Sequence, residues 1–159
     1  MKITKVTGYT VHPGWRKNLI FVKVETDAGI HGWGEAYSQY DRDRPVIAQL
    51  EALGPYLVGR SPFDIKHFTQ FAFDDYAARR GSLELFCAIS GMEQAMWDIV
   101  GKACNQPVYN LLGGRCRDRI RVYANGWSYG MKEPVDYARA AAKVVAQGWT
   151  ALKLDPLPA

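Results

Sequence analysis

Lys153 and Asp155 are the residues of this sequence whose types and spacing are best suited to chemistry. They stand two positions apart in a segment, 149–155, that is predicted to be a strand. Because successive side chains of a strand point to opposite faces, both should lie on the same side. A lysine and a carboxylate placed so can act on a bound substrate, or they can form an ordinary ion pair. The sequence leaves both readings open, and we take Lys153 and Asp155 as candidate catalytic residues.

A second group of candidates lies in a loop and near strand ends. Trp15 and Arg16 fall in the loop 12–18 between two predicted strands. An arginine beside a tryptophan suits a polyhydroxy acid, because the guanidinium offers a fork of donors and the indole an apolar wall. Tyr37 follows the third predicted strand, and Asn125 ends a later one. These four are predicted to bind substrate; the alternative is that they belong to solvated surface.

Composition and charge exclude several classes of protein. The chain has 159 residues, 48% hydrophobic and 13% aromatic, which is ample for a core. Its net charge of +4 is modest, and the basic residues are dispersed rather than gathered in the stripe that nucleic-acid binding favours. No apolar run approaches a membrane span, and the alternating N-terminus is unlike a signal peptide. We therefore expect a cytoplasmic protein without nucleic-acid or membrane partners.

Metal and disulfide sites are also not expected within this chain. The three cysteines have no C-x-x-C spacing, and Cys87 falls in an apolar helical run, where it is most simply a buried hydrophobe. No set of aspartates and glutamates has convincing ligand spacing.

The periodicity of apolar residues predicts two regions of different architecture. The first, residues 1–115, is an α+β domain in which a three-stranded antiparallel meander is covered by helices. Its predicted strands are 2–12, 18–26 and 30–38, and its predicted helices are 43–58, 62–76, a long one that begins at Ser82, and a short one after Pro107. The second, residues 116–159, reads as β-α-β: a strand over 119–125, a helix over 134–147 and a strand over 149–155. A (β/α) barrel takes about 250 residues, so this barrel is expected to be incomplete.

Several motifs, in order along the whole chain, resemble the enolase superfamily, specifically its mandelate racemase/muconate lactonizing enzyme branch. Residues 32–35 (GWGE) are similar to that branch's G-x-G-E signature, and residues 88–102 (AISGMEQAMWDIVGK) to its A-I-x-x-x-x-x-A-x-W-D-I-x-G-K helix. Residues 107–114 (PVYNLLGG) resemble the P-V-x-x-L-L-G-G that follows. Residues 123–126 and 148–156 look like the first two strands of the barrel.

The resemblance implies a particular chemistry. Enzymes of this branch remove the proton α to a carboxylate and stabilise the resulting enediolate on Mg²⁺, with a lysine or histidine as base. The first region would then be a capping domain over the barrel mouth, with loop 12–18 as its capping loop. The branch often ends its second barrel strand in K-x-K; here the triplet is K-L-D, so Lys153 matches the first lysine and Asp155 replaces the second. Aspartate is a poor base for a carbon acid unless its pKa is strongly raised, so the main base is expected on a later strand.

The resemblance favours the N-terminal part of an acid-sugar dehydratase, with galactonate or a relative as substrate. Mg²⁺ is expected in the complete enzyme, a homo-oligomer, and no cofactor is expected for this chain alone, which would be inactive without the metal ligands of later strands. A racemase, epimerase or cycloisomerase of the same branch is the close alternative. Another is a non-catalytic module that pairs with another chain, since a half-built barrel would expose apolar faces.

Overall fold

The structure, a computed structural model, describes residues 1–14, 17–39, 41–77 and 81–155. The predicted substrate-binding residues Trp15 and Arg16 therefore lie outside the described residues. The chain divides into two compact units, Met1–Gly114 and Arg115–Ala159. Each unit is described here by itself.

Three strands form the antiparallel sheet of the first unit in the order β1-β2-β3. They are β1 (Ile3–Val11), β2 (Leu19–Thr26) and β3 (His31–Ala36). The alternating pattern of buried residues along β2, with Ile20, Val22 and Val24 fully buried, shows that one face of the sheet meets the core. The predicted meander is confirmed, with strand ends that differ by one or two residues.

Helices cover that face of the sheet. They are α1 (Asp43–Leu57), α2 (Ile65–Phe71), which continues as a π-helical segment (Ala72–Ala77), α3 (Leu83–Ala103) and the short α4 (Val108–Leu111). Ser82 caps α3 by accepting a hydrogen bond from the Leu85 backbone N–H at 3.2 Å, as its position before an apolar helix predicts. The predicted second helix begins later than expected, because the chain first turns where the Asp64 N–H donates to the Ser61 carbonyl.

The core of this unit lies between the sheet and the helices α1, α2 and α3. Its largest fully buried side chains include Leu53 of α1, Phe68 of α2 and Met92 and Ile99 of α3. Cys87 is also buried in this core, as predicted, and burial raises the pKa of its thiol. Among the described residues, no helix combines the length and apolar character that a bilayer span would need.

Helix α3 approaches strand β3 unusually closely, and glycines make this approach possible. The core-facing residues of β3 are Gly32, Gly34 and Ala36. A Cβ atom on Gly32 would lie 2.0 Å from the Ala95 carbonyl oxygen, and one on Gly34 would lie 2.0 Å from the Gly91 carbonyl oxygen. Both distances are far inside van der Waals contact, so the G-x-G motif is required by the packing of helix against strand.

Side chains of α3 also satisfy the open edge of β3. The Asp98 carboxylate accepts from the Trp33 N–H at 2.9 Å, and Lys102 donates to the His31 carbonyl at 2.8 Å. The Gln94 side chain bonds both the N–H and the carbonyl of Glu35, each at 3.1 Å. Four residues of helix rise about 6 Å and two residues of strand about 6.8 Å. Every fourth residue of α3 from Gln94 to Lys102 can therefore reach every second residue of β3. An edge strand that would otherwise present free backbone groups is thereby closed.

The second unit contains helix α5 (Pro134–Ala146), which is one residue shorter than predicted. The predicted strands 119–125 and 149–155 differ more, because their described parts pair only as one parallel bridge, Ala124 with Leu152. Two backbone hydrogen bonds make this bridge, from Ala124 N–H to the Ala151 carbonyl and from Lys153 N–H to the Ala124 carbonyl, each 2.9 Å. On the N-terminal side of the bridge, the two segments are joined by a side chain. The Arg121 guanidinium donates to the hydroxyl and the carbonyl of Thr150.

The close approach of α3 to β3 predicts that Gly34→Ala destabilises the first unit. The added methyl group would meet the Gly91 carbonyl, so either the helix or the strand must shift. We expect a loss of about 2 kcal/mol or more in the free energy of unfolding, measured by urea denaturation.

Glu35→Ala is the control for this substitution. Glu35 lies on the exposed face of the same strand, and its hydrogen bonds to Gln94 are made by its backbone and not by its side chain. The control should change the free energy of unfolding by no more than about 0.5 kcal/mol. Equal stability of Gly34→Ala and the parent would contradict the packing account.

Candidate functional site

The ammonium group of Lys17 lies over the ring of Tyr37 on the surface of the first unit. The Lys17 ammonium lies 3.6 Å from the centroid of the Tyr37 ring, and it also donates a hydrogen bond to the Ser38 carbonyl. A lysine over an aromatic ring is held by the ring quadrupole. Tyr37 is 54% exposed, so the pair faces solvent.

A hydrogen-bonded cluster lies directly behind this pair. The Asp43 carboxylate, at the start of α1, accepts a hydrogen bond from the Asn18 amide at 2.5 Å and another from the Ser38 hydroxyl. The Asn18 oxygen in turn lies 2.9 Å from Nδ1 of His12. The Asn18 side-chain nitrogen donates to Asp43, so the Asn18 side-chain oxygen must be the acceptor in the contact with His12. His12 Nδ1 is therefore the donor. The cluster thus joins both sides of loop 12–18 to the end of β3 and to α1.

In the second unit, the Ala124–Leu152 bridge brings three of the predicted site residues to one end of the paired segments. Asn125 and Lys153 each follow one member of the bridge. The Lys153 ammonium lies 3.3 Å from the Asp155 carboxylate, and both side chains are substantially exposed. The Asn125 side-chain oxygen accepts from the Gly126 N–H at 2.9 Å. The structure therefore shows the Lys–Asp ion pair that the sequence left open as the alternative to a catalytic role, and the pair does not test that role.

The structure places the predicted residues in two groups. Lys153, Asp155 and Asn125 share one end of the second unit, and Tyr37 stands in the first unit beside Lys17. Their roles in binding and catalysis stay predictions. The sequence did not single out Lys17, Asn18, Ser38 or Asp43, which come from three separate segments and carry no common spacing.

A cation site is not formed by the described residues. In residues 1–14, 17–39, 41–77 and 81–155, no three histidine, cysteine, aspartate or glutamate side chains come together as metal ligands. The residues present therefore do not fit a Mg²⁺ ion by themselves.

Comparison with known proteins identifies the family. The first unit is an antiparallel meander closed by a long helix over a G-x-G strand, and a family model described as the mandelate racemase/muconate lactonizing enzyme N-terminal domain matches residues 5–113. The chain belongs to this family, which confirms the resemblance drawn from its motifs.

Curated relatives include D-galactonate dehydratases from Verminephrobacter eiseniae and Pectobacterium atrosepticum. Each is 41% identical to this chain over 155 residues. The match covers 98% of this chain but 38% of each relative, so the chain spans less than half the length of these relatives.

Solved structures show the same fold. A member of the enolase superfamily from Salmonella Typhimurium matches with a TM-score of 0.84 and 31% identity, over 97% of this chain and 42% of that protein. A mandelate racemase/muconate lactonizing enzyme from Sulfitobacter sp. matches with a TM-score of 0.81 and 33% identity, over 98% and 42%. The predicted fold class is confirmed by these likenesses.

Proposed function

We propose that this chain is the N-terminal part of an acid-sugar dehydratase that removes water from an aldonic acid such as galactonate. The observation that carries the proposal is the 41% identity with D-galactonate dehydratases over nearly the whole of this chain. The reaction converts the acid into a 2-keto-3-deoxy acid and water. The electrons of the broken α C–H bond form a C=C bond as the β-hydroxyl leaves with a proton, and the enol then becomes the ketone.

We propose that Lys153 acts on the substrate and that Asp155 and Asn125 stand beside it. A lysine ammonium stabilises negative charge that develops on the substrate carboxylate as the α-proton leaves. Asp155, 3.3 Å away, holds that ammonium in place and can accept a hydrogen bond from a substrate hydroxyl. The main base is not assigned to any described residue.

Mg²⁺ belongs to the proposal for the complete enzyme only. A divalent cation bound to the substrate carboxylate supplies charge stabilisation in such reactions. Because the described residues do not gather three suitable ligands, we derive no step of the reaction through the metal. A sugar acid as the small-molecule partner, a homo-oligomeric state and a cytoplasmic location are likewise parts of this proposal.

Product analysis distinguishes dehydration from the alternative activities of the family. The full natural protein should convert one or more acids of an aldonate panel, with Mg²⁺ present, into 2-keto-3-deoxy acids that a keto-acid assay and mass spectrometry detect as the loss of water. Formation of epimers of unchanged mass alone would contradict dehydration and favour a racemase or epimerase.

Replacement of Lys153 tests its proposed role. Lys153→Met keeps much of the side-chain length but removes the charge, so kcat/KM for the sugar acid should fall by about 100-fold or more. Asp155→Asn should cost less, because an amide still accepts one hydrogen bond. Lys132→Met, at an exposed lysine of the same unit, is the control and should behave as the parent. Near-parent activity of Lys153→Met with an unchanged melting temperature would exclude the assignment.

A further inference from the structure

The Asp43 carboxylate bonds the two residues that directly follow the Lys17–Tyr37 pair. It accepts from Asn18, the neighbour of Lys17, and from Ser38, the neighbour of Tyr37. Ser38 is 3% exposed, and Asn18 and Asp43 are both partly buried, so the bonds are partly shielded from water. One carboxylate therefore sets the spacing between two chain segments that lie 20 positions apart in sequence.

The contact between Lys17 and Tyr37 depends on this spacing. Lys17 donates to the Ser38 carbonyl, so the lysine and the tyrosine are joined through the backbone as well as through the ring. Without a common acceptor behind them, the strand end at residue 38 and the loop end at residue 18 would lose the charge-assisted bonds that hold them together. Such bonds are stronger than neutral ones.

We propose that Asp43 is a positioning residue for a sugar-acid contact formed by Lys17 and Tyr37, an inference that rests on the proposed function. The Lys17 ammonium has three donors, and the Ser38 carbonyl takes one of them. The others can bind the carboxylate or hydroxyl oxygens of an aldonic acid, while the exposed tyrosine supplies an apolar edge and a hydroxyl. Asp43 does not touch the acid; it acts by fixing where Lys17 stands.

A simpler role for Asp43 exists, and the experiment must exclude it. Asp43 lies in the first turn of α1, where any carboxylate stabilises the helix through the dipole. Asp136 also lies in the first turn of a helix, α5, where its carboxylate is 3.6 Å from the Arg139 guanidinium, so Asp136→Asn is the control for the loss of a carboxylate at a helix start. If Asp43 acted only through the helix dipole, an Asp43 variant would leave cleavage after Lys17 and KM for the sugar acid unchanged, as Asp136→Asn is expected to do.

The first readout does not need enzymatic activity. A proteinase that cuts only after lysine must draw the lysine side chain into its own pocket, which the contacts of Lys17 oppose. Cleavage after Lys17 is compared with cleavage after the exposed Lys132 in the folded protein. Asp43→Ala should raise this ratio by about tenfold. Asp43→Asn should raise it less, because one acceptor oxygen remains, and Asp136→Asn should leave it unchanged.

The second readout is kinetic and uses the full natural protein. Asp43→Ala should raise KM for the sugar acid by about fivefold to tenfold, with kcat changed by less than about twofold, because a binding contact is lost equally in ground and transition states. Lys17→Met should have a similar effect. The double variant should be little worse than either single variant, since Asp43 acts through Lys17.

Each outcome decides a separate point. A cleavage ratio and a KM that match the Asp136→Asn control would overturn the proposal, as would strictly additive effects of Asp43→Ala and Lys17→Met. If Asp43→Ala does not fold, Asn18→Ala removes the bond from the loop side and is judged by the same two readouts. A parent protein that converts no sugar acid would overturn the proposed function, and the cleavage ratio would still test Asp43.

Discussion

The structure of the first unit depends on one constraint, the contact of helix α3 with the backbone of strand β3. Gly32 and Gly34 place no side chain between the strand and the helix. Carbonyl oxygens of the helix occupy the space that Cβ atoms at these two positions would take. The same helix then closes the edge of the strand with Gln94, Asp98 and Lys102. Because strand and helix are fixed to each other, Tyr37 and Ser38 leave the end of β3 from a defined position.

This contact gives the family's motifs a physical meaning. The G-x-G strand and the W-D-I-x-G-K helix are two sides of a single interface, in which Asp98 bonds the Trp33 N–H and Lys102 bonds the His31 carbonyl. Motif residues of the first unit therefore act mainly in packing. The groups with free donors, such as Lys17 and Lys153, lie at the ends of elements, where functional side chains are commonly carried by a rigid scaffold.

Features that are set by residues close together in the chain could be predicted from the sequence. Features that depend on contacts between distant segments could not. The meander, the cap at Ser82 and the burial of Cys87 follow from alternation, capping and helical spacing, and all are present. The strands of the second unit are reduced to one bridge at Ala124, because apolar alternation shows that a segment can pair but not how far it does. The cluster around Asp43 could not be predicted, since its members meet only after β1, β3 and α1 are assembled.

The most direct test of the proposed activity is a crystal structure of the full natural protein with Mg²⁺ and galactonate. The account predicts the sugar acid within hydrogen-bond distance of the Lys153 ammonium, with Asp155 still paired to that lysine. A sugar acid bound elsewhere, with Lys153 in contact with Asp155 alone, would contradict it.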